Sequence, residues 1–467
     1  MRASLAKPPR PAVLVLTLAV ISAVIPSRLG ADDFTFHEPS SRAAALGGAF
    51  TARADDATGL FYNPAGLAFL GGFRLKTNVA FGRRSSTASW PDLERIYRSE
   101  PSEFTGNVGV SWQPLKRVTL GTGLFSPFNY ESYWTPSWSG ETLCSRNRLR
   151  SLYFRTALAV EVIKGLALSA GVDVVSSSVR WRHIIPFNLE PFPLAHDVDV
   201  ESSHALSGSG LGFVAGALWK VFPALQIGAR YQQSVAIDYV GTDIFNRLLD
   251  TSGESVPDPR GGTRRVSDLI DLYYKMQNVT GRLTLPREIA LGVALSPIAR
   301  LSLYLDVQLD RWQGAGDWVF RSVSEGDAIN PAFTPVYQEF YGLALDYGVQ
   351  GVPLGLRDTK KLKAGVEFRP ARYLALRAGF AHHQSSVDEA DRTPVYPDLD
   401  RNVYSLGFGY EGPVFSIWGD GEKVSDLSFD VFVRYASAAP GPSTFPGFEM
   451  TYDSNRFVFG VGAGFIF

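Results

Sequence analysis

One cysteine, Cys144, three methionines and six histidines are all that 467 residues hold of the side chains that build disulfides, methionine-rich surfaces and most metal centres. Net charge is nearly missing too, with 45 Lys and Arg against 46 Asp and Glu. Each shortage removes a class. A lone thiol excludes an internal disulfide framework and a multi-cysteine zinc site. A charge of -1 provides no bulk basic field for nucleic acid. Past the first thirty residues no run approaches the roughly 20 apolar residues a membrane-spanning helix needs, so any residence in a bilayer must come from strands. What is plentiful agrees: 45 Gly and 13% aromatic residues suit strands, turns and aromatic girdles.

The start of the chain carries Arg2, Lys7 and Arg10, followed by an uncharged run from Pro11 to Ser27. This is the pattern of a secretory signal peptide, expected to span residues 1-31 with cleavage after Ala31. No cysteine near it offers a site for a lipid anchor.

From Phe73 onward apolar and polar side chains alternate with period two, the spacing that sends successive residues to opposite faces of a strand. Leu301, Leu303, Leu305, Val307 and Leu309 alternate with Ser302, Tyr304, Asp306, Gln308 and Asp310. Fourteen such segments are expected, near 72-84, 104-113, 117-126, 148-163, 165-181, 204-219, 224-240, 288-296, 300-312, 361-369, 372-383, 401-411, 424-437 and 455-467. Their connections alternate between very short and very long, the habit of an even-stranded membrane barrel with tight periplasmic turns and long external loops. The connection 412-423 is longer than that rule allows. Charge follows the same parity: Arg155, Glu161, Asp173, Arg230, Asp306, Asp310, Lys363, Glu367, Arg377, Asp430 and Arg434 fall opposite the large apolar residues. On a lipid face Arg or Lys costs about 2–4 kcal/mol near the midplane, so these positions belong to a lumen. The predicted fold is all-β, a 14-stranded antiparallel transmembrane β-barrel over residues 72-467.

Ahead of the wall lies His37 to Leu67, HEPSSRAAALGGAFTARADDATGLFYNPAGL, a small-residue stretch broken by Gly47 and Gly48 and turning at Asn63-Pro64. A fourteen-strand lumen is too wide for its own side chains to fill, and this segment, residues 32-68, reads as its plug. The run ALGGAFTARADDATGLFYNPAGLA resembles the N-terminal hatch of the FadL/TodX family of outer-membrane transporters for long-chain fatty acids and other hydrophobic compounds, including an Asn-Pro-Ala element at Asn63, Pro64 and Ala65. Thr284-Leu285-Pro286, the stretch Tyr396 to Arg401 and a final strand ending at Phe467 fit the same family. The resemblance implies passive uptake of a hydrophobic ligand across the outer membrane of a Gram-negative-type cell, without a cofactor, by a monomer inserted by the barrel assembly machinery among outer-membrane lipid. It also implies a gating role for the hatch, in which Arg53, Asp55 and Asp56 would pair with lumen charges such as Arg155, Arg377, Arg434 or Asp430. A fixed plug with satisfied polar groups is the alternative.

Two further sites are expected. In the family the third strand is kinked and opens a side passage; here Gly121, Gly123 and Pro127 are the residues able to interrupt pairing, although glycines also serve packing. The loop 241-287 carries a helical stripe of Val266, Leu269, Ile270, Tyr273 and Met276, which with Ile244, Phe245, Leu248 and Leu249 forms either a greasy capture groove or a helix packed on the rim. Enzymatic function is not expected. His382 and His383, beside Ser385, Asp388, Glu389 and Asp391, are adjacent on a strand and point to opposite faces, which suits neither catalysis nor metal. The remaining alternative is a structural or partner-binding barrel, an anchor or secretion shuttle.

Overall fold

The computed structural model describes residues 38–90, 96–135, 138–187, 198–247, 254–274, 276–323, 340, 349–415 and 423–467. The expected leader 1-31, the first hatch residues 32–37 and Leu248 and Leu249 lie outside the described residues.

Fourteen antiparallel wall strands close on themselves. They are β1 (Phe73–Ser89), β2 (Ile96–Ser99 and Ser102–Leu115), β3 (Val118–Phe125 and Asn129–Tyr133), β4 (Arg146–Ile163), β5 (Leu166–Phe187), β6 (Val198–Phe222) and β7 (Leu225–Gln232 and Val235–Arg247). The second half comprises β8 (Gln277–Leu285 and Arg287–Ile298), β9 (Leu301–Arg311 and Trp318–Ser322), β10 (Val349–Val352 and Thr359–Ala371), β11 (Leu374–His383), β12 (Arg401–Phe415), β13 (Lys423–Ala438) and β14 (Thr451–Ile466). Neighbours pair in sequence order, and β14 returns to β1 with Arg74 opposite Ile466 and Ser89 opposite Thr451. Closure leaves the sheet without a free first or last strand, as a sheet in lipid requires. No helix among the described residues is long and apolar enough to cross a membrane; the crossing is made by strands.

The expected strands are all present, and several run further toward the external loops. β5 and β6 stay paired out to Phe187 opposite Val198. β8 begins at Gln277 because pairing resumes on both sides of Pro286, whose missing N–H interrupts the ladder without ending the strand. The long turn expected at 412-423 is a correction: β12 and β13 pair to Phe415 opposite Lys423, which leaves 416–422 as the connection, outside the described residues. The described turns at this end are tight; Gly165 takes φ +85° between β4 and β5, a conformation glycine adopts without strain.

The outward face carries an exposed apolar belt that includes Phe81, Trp112, Phe154, Val172, Leu211, Leu291 and Leu305. Inward, ten of the eleven charges assigned to the lumen are buried, and Glu161 is partly exposed at the periplasmic end. Between them, inside the lumen, lies the hatch: helix α1 (Ser41–Ala45), helix α2 (Gly59–Tyr62) and a 3-10 turn, Pro64–Phe69.

Candidate functional site: the hatch and the opening in the wall

The hatch is made of small residues because it lies directly on the wall. A Cβ at Gly109, Gly228, Gly292, Gly365 or Gly379 would overlap hatch backbone at Ala57, Thr51, Ala52, Leu46 and Gly47 respectively. Side chains from the wall complete the contact. Asp306 of β9 accepts the N–H groups of Phe50 and Thr51, both at 2.8 Å. Asn63 donates its amide to the carbonyls of Thr51 and Ala217, both at 2.9 Å, and its oxygen caps the 3-10 turn by accepting from Ala65 N at 3.2 Å. Pro64 occupies the first position of that turn, where its missing N–H is harmless. Arg155 and Arg230 donate to the Phe61 carbonyl at 3.0 and 3.1 Å. Arg155 is itself clamped by Asp173 at 2.6 and 2.8 Å and by Gln232 at 2.6 Å.

The charged hatch residues sit differently from expectation. Arg53 pairs with Asp55 at 2.6 Å, within the hatch. Asp55 also meets Arg42 at 3.0 Å, and it is Arg42 that reaches the wall, at 3.2 Å from Glu367. Asp56 accepts from Thr58 N at 2.8 Å and starts α2. Of the expected wall partners, Arg377 and Asp430 belong to the chain Arg42–Glu367–Arg377–Asp430–Lys76, with 2.7 Å and 2.6 Å at its middle contacts. Arg434 is buried beside Glu38, which meets Lys363 at 3.5 Å and accepts from Tyr62 at 2.7 Å. Arg42 and Glu38 were missed because an isolated charge in an aperiodic segment, HEPSSRAAALGG, has no pattern to mark it.

The wall is interrupted between β2 and β3. Their backbone pairing ends at Val108 opposite Leu124 and returns only at the bridge between Ser99 and Trp134; within the gap the Asn107 side chain accepts from Ser126 N at 2.9 Å. Above Phe125 strand β3 leaves β2 and follows β4 alone. Four steps along β3, Phe125 to Asn129, span three along β4, Tyr153 to Arg150, which is a one-residue bulge. Pro127, with no N–H to contribute to a ladder, lies inside it. The gap holds a cavity of about 350 Å³ lined by Phe104, Val108, Leu124, Ser126, Asn129 and Leu152 among others. Gly121 and Gly123 lie lower, in the paired part. A Cβ at Gly121 would strike Leu67 and Leu60 of the hatch, and one at Gly123 the Phe125 ring and the Val108 carbonyl, so both serve close packing beneath the opening.

The sequence profile of the family described as outer membrane protein transport protein (OMPP1/FadL/TodX) matches residues 23–413. The chain belongs to this family. It is an outer-membrane β-barrel, and its fold is shared with solved structures at low identity. A Pseudomonas aeruginosa FadL homologue superposes with a TM-score of 0.73 at 18% identity, covering 93% of this chain and 99% of the other. The P. putida toluene transporter TodX gives 0.66 at 16%, covering 93% and 99%. The Ralstonia pickettii toluene transporter TbuX gives 0.60 at 18%, covering 92% and 98%. Among curated proteins no match was found.

In this FadL/TodX-family barrel the external helix α3 (Val266–Tyr273) forms a closed core of its own. Leu269, Ile270 and Tyr273 are buried with Val266 against Phe187, Val200 and Val256, and Phe245 packs at the edge. The strand extensions of β5 and β6 supply the surface on which it packs. Ile244 and Met276 remain exposed.

Nearby, above the apolar belt, where the outward residues are Arg180, Arg182 and Ser203, the lumen holds Ser202, His204 and Asp243. Their residue types suggest catalysis and their geometry does not. The Ser202 hydroxyl donates to Asp243 at 2.8 Å, His204 Nε2 lies 3.6 Å from Asp243, and all three are buried. Gln350 donates to the same carboxylate at 3.1 Å. Burial holds His204 down at about 3, and burial with the neighbouring His204 does the same to His183. Burial raises Asp243 to about 6 against the hydrogen bonds it accepts. His382 and His383 diverge as expected, the first toward Asn402 at 2.9 Å on the exposed face and the second buried in the lumen. No metal-binding group is found among the described residues.

Proposed function

We propose that this barrel takes up hydrophobic compounds passively and releases them through the opening between β2 and β3 into the outer membrane, with the hatch as a movable gate. The observation that carries this reading is the cavity of about 350 Å³ in the interrupted wall, with Phe104, Val108, Leu124 and Leu152 beside it. The way down is unsuited to greasy cargo. The cleft below the hatch offers about 30 Å³ and is bordered by Arg42, Asp55, Asp56, Lys76, Arg377 and Asp430, room for about one water. Family membership and two structural relatives named as toluene transporters support the cargo class. Cargo would meet the exposed edge at Ile244 and Met276 first, with Leu269, Ile270 and Tyr273 as the support of that loop. No covalent step or cofactor is involved; burial of apolar surface at each stage drives movement along the gradient. The barrel acts as a monomer, inserted by the assembly machinery and solvated by outer-membrane lipid.

Deleting Pro127 tests this directly. Removing one residue from the bulge brings Phe125 and Asn129 back into step with β4 and restores pairing with β2. Uptake of labelled toluene or oleate by cells carrying the deletion should fall toward the level of cells without the protein, while the barrel still shows heat-modifiable gel mobility. Undiminished uptake by a folded deletion protein sinks the lateral route.

A further inference from the structure

The outer face of β4 and β5 changes character at the top of the apolar belt. Going up β4 the outward residues are Leu158, Phe154 and Leu152, and then Arg150, Arg148 and Arg146; on β5 they are Val172 and Val174, then Ser176 and Ser178, then Arg180 and Arg182. The register sets these side by side, with Arg148 opposite Arg180 and Arg146 opposite Arg182. Like charges directly opposite across strands repel, and two such pairs stand in adjacent rows.

Among the described residues two carboxylates reach the cluster directly. Glu131 holds Arg146 at 2.5 Å and lies 3.8 Å from Arg148, and Glu201 lies 4.0 Å from Arg182. Among the described residues, five guanidiniums thus stand within reach of Glu131 and Glu201, with Asp199 one row higher on the outward parity of β6 and Glu141 docked through its carbonyl on Ile184 N at 2.8 Å. Burial, Arg146 and Arg180 push the Arg148 guanidinium below its ordinary range in spite of Glu131. Across the barrel the top of the belt is finished differently, by the paired row Tyr404, Tyr435 and Phe457, the usual aromatic girdle. A concentration of arginine at one sector of the rim calls for an anion at that height.

We propose that this rim is a binding site for a phosphorylated lipid headgroup of the outer leaflet. Guanidinium forks match phosphate oxygens in pairs. Ser178 adds a hydroxyl at the lower edge of the cluster, and the belt directly beneath, Leu152, Phe154, Val172 and Val174, is where the acyl chains of that same molecule would lie. A free anion would leave the apolar part of the site unused, which is why a lipid is the occupant. Arg150 also borders the wall cavity, so a headgroup held here sits beside the opening between β2 and β3. The inference requires the outer-membrane placement and is independent of what the barrel carries.

The test uses native mass spectrometry of the mature protein in mild detergent. Three probes are compared: diphosphoryl lipid A, the same lipid with both phosphates removed, and inorganic phosphate. The wild-type protein should retain diphosphoryl lipid A, and Arg148→Gln/Arg180→Gln should lower that retention at least tenfold while keeping heat-modifiable mobility. Arg148→Lys/Arg180→Lys keeps charge without the fork and should fall between the two. Equal retention by the Gln variant, or of the dephosphorylated lipid, overturns the site. Displacement of the lipid by equimolar inorganic phosphate also overturns it, in favour of a free-anion site.

Discussion

The Asn63 side chain of the hatch donates to the backbone carbonyl of Ala217 in β6, at 2.9 Å. The approach is possible because residue 216 is glycine; a Cβ there would overlap the Asn63 amide oxygen. Asn63→Ala removes this donor from the buried Thr51 carbonyl and from the half-buried, ladder-paired Ala217 carbonyl, and one buried unsatisfied group costs about 1–3 kcal/mol. Since about 1.4 kcal/mol is tenfold in an equilibrium, the displaced hatch should become about tenfold more populated. Planar-bilayer recordings should show longer or more frequent conducting events, with unchanged barrel folding. Traces identical to wild type would mean that this contact does not hold the hatch.

Glu367 supports both the hatch and the wall, facing Arg42 at 3.2 Å, Arg377 at 2.7 Å and Arg369 at 3.1 Å. Glu367→Gln removes the carboxylate that Arg42 and Arg377 share. Breaking a buried ion pair by deleting one partner costs about 3–5 kcal/mol. The temperature at which the folded gel band converts to the unfolded one should drop clearly. Glu161→Gln is the control: its partner Arg117 is half exposed and 3.6 Å away, and a surface pair is worth about 0–1 kcal/mol. Equal shifts for the two variants would show that Glu367 is not a keystone of the lumen.

Such contacts were only half visible in the sequence. Parity alone put Arg155, Asp173, Asp306 and Glu367 in the lumen, because a charge on the lipid face is too costly to be placed there by chance. Which charges meet the hatch depends on the third dimension: Arg42 and Glu367 are 325 residues apart. The inner-face glycines looked like weak points in strands, yet Gly121 is small to admit Leu67. Pro127 was legible as an interruption, whereas the one-residue mismatch with β4 that gives the opening its shape appears only once the pairs are known. The helical stripe in α3 was readable, but its burial relied on β5 and β6 continuing past the belt.

The histidine cluster predicts acid sensitivity of the external part. His183 and His204 have ordinary values of 6.5 and sit at about 3 in the fold. The folded state thus binds fewer protons than the unfolded chain between those limits, and stability falls as pH drops from about 6.5. Asp243, raised from 3.8 to about 6, acts the other way, gaining stability as pH falls through 6. Two histidines outweigh one carboxylate, and the net effect of acidification is loosening. Among the described residues the hydrogen-bond partners of the Asp243 side chain are neutral: Ser202, Gln277 and Gln350. Amide exchange between Ser202 and Asp243, corrected for intrinsic rates, should quicken from pH 7 to pH 4.5, and His204→Phe should reduce that change. Greater protection at pH 4.5 would make Asp243 the dominant group.

The external loop separates folding from capture at Leu269 and Met276. An eight-residue helix is too short to persist alone, so α3 exists because Leu269, fully buried, and its neighbours pack on the ends of β5 and β6. Leu269→Ala should cost about 2–5 kcal/mol of local stability, seen as rapid proteolysis within 254–274 while the barrel band survives. Met276 is 63% exposed, and Met276→Ser should leave that protection within about 0.5 kcal/mol of wild type. If the exposed edge meets cargo first, Met276→Ser lowers the initial rate of hydrophobic uptake without loosening the loop. Loss of uptake only when α3 unfolds would instead assign the loop a supporting role, because Leu269 then acts through the shape of the rim and Met276 through nothing.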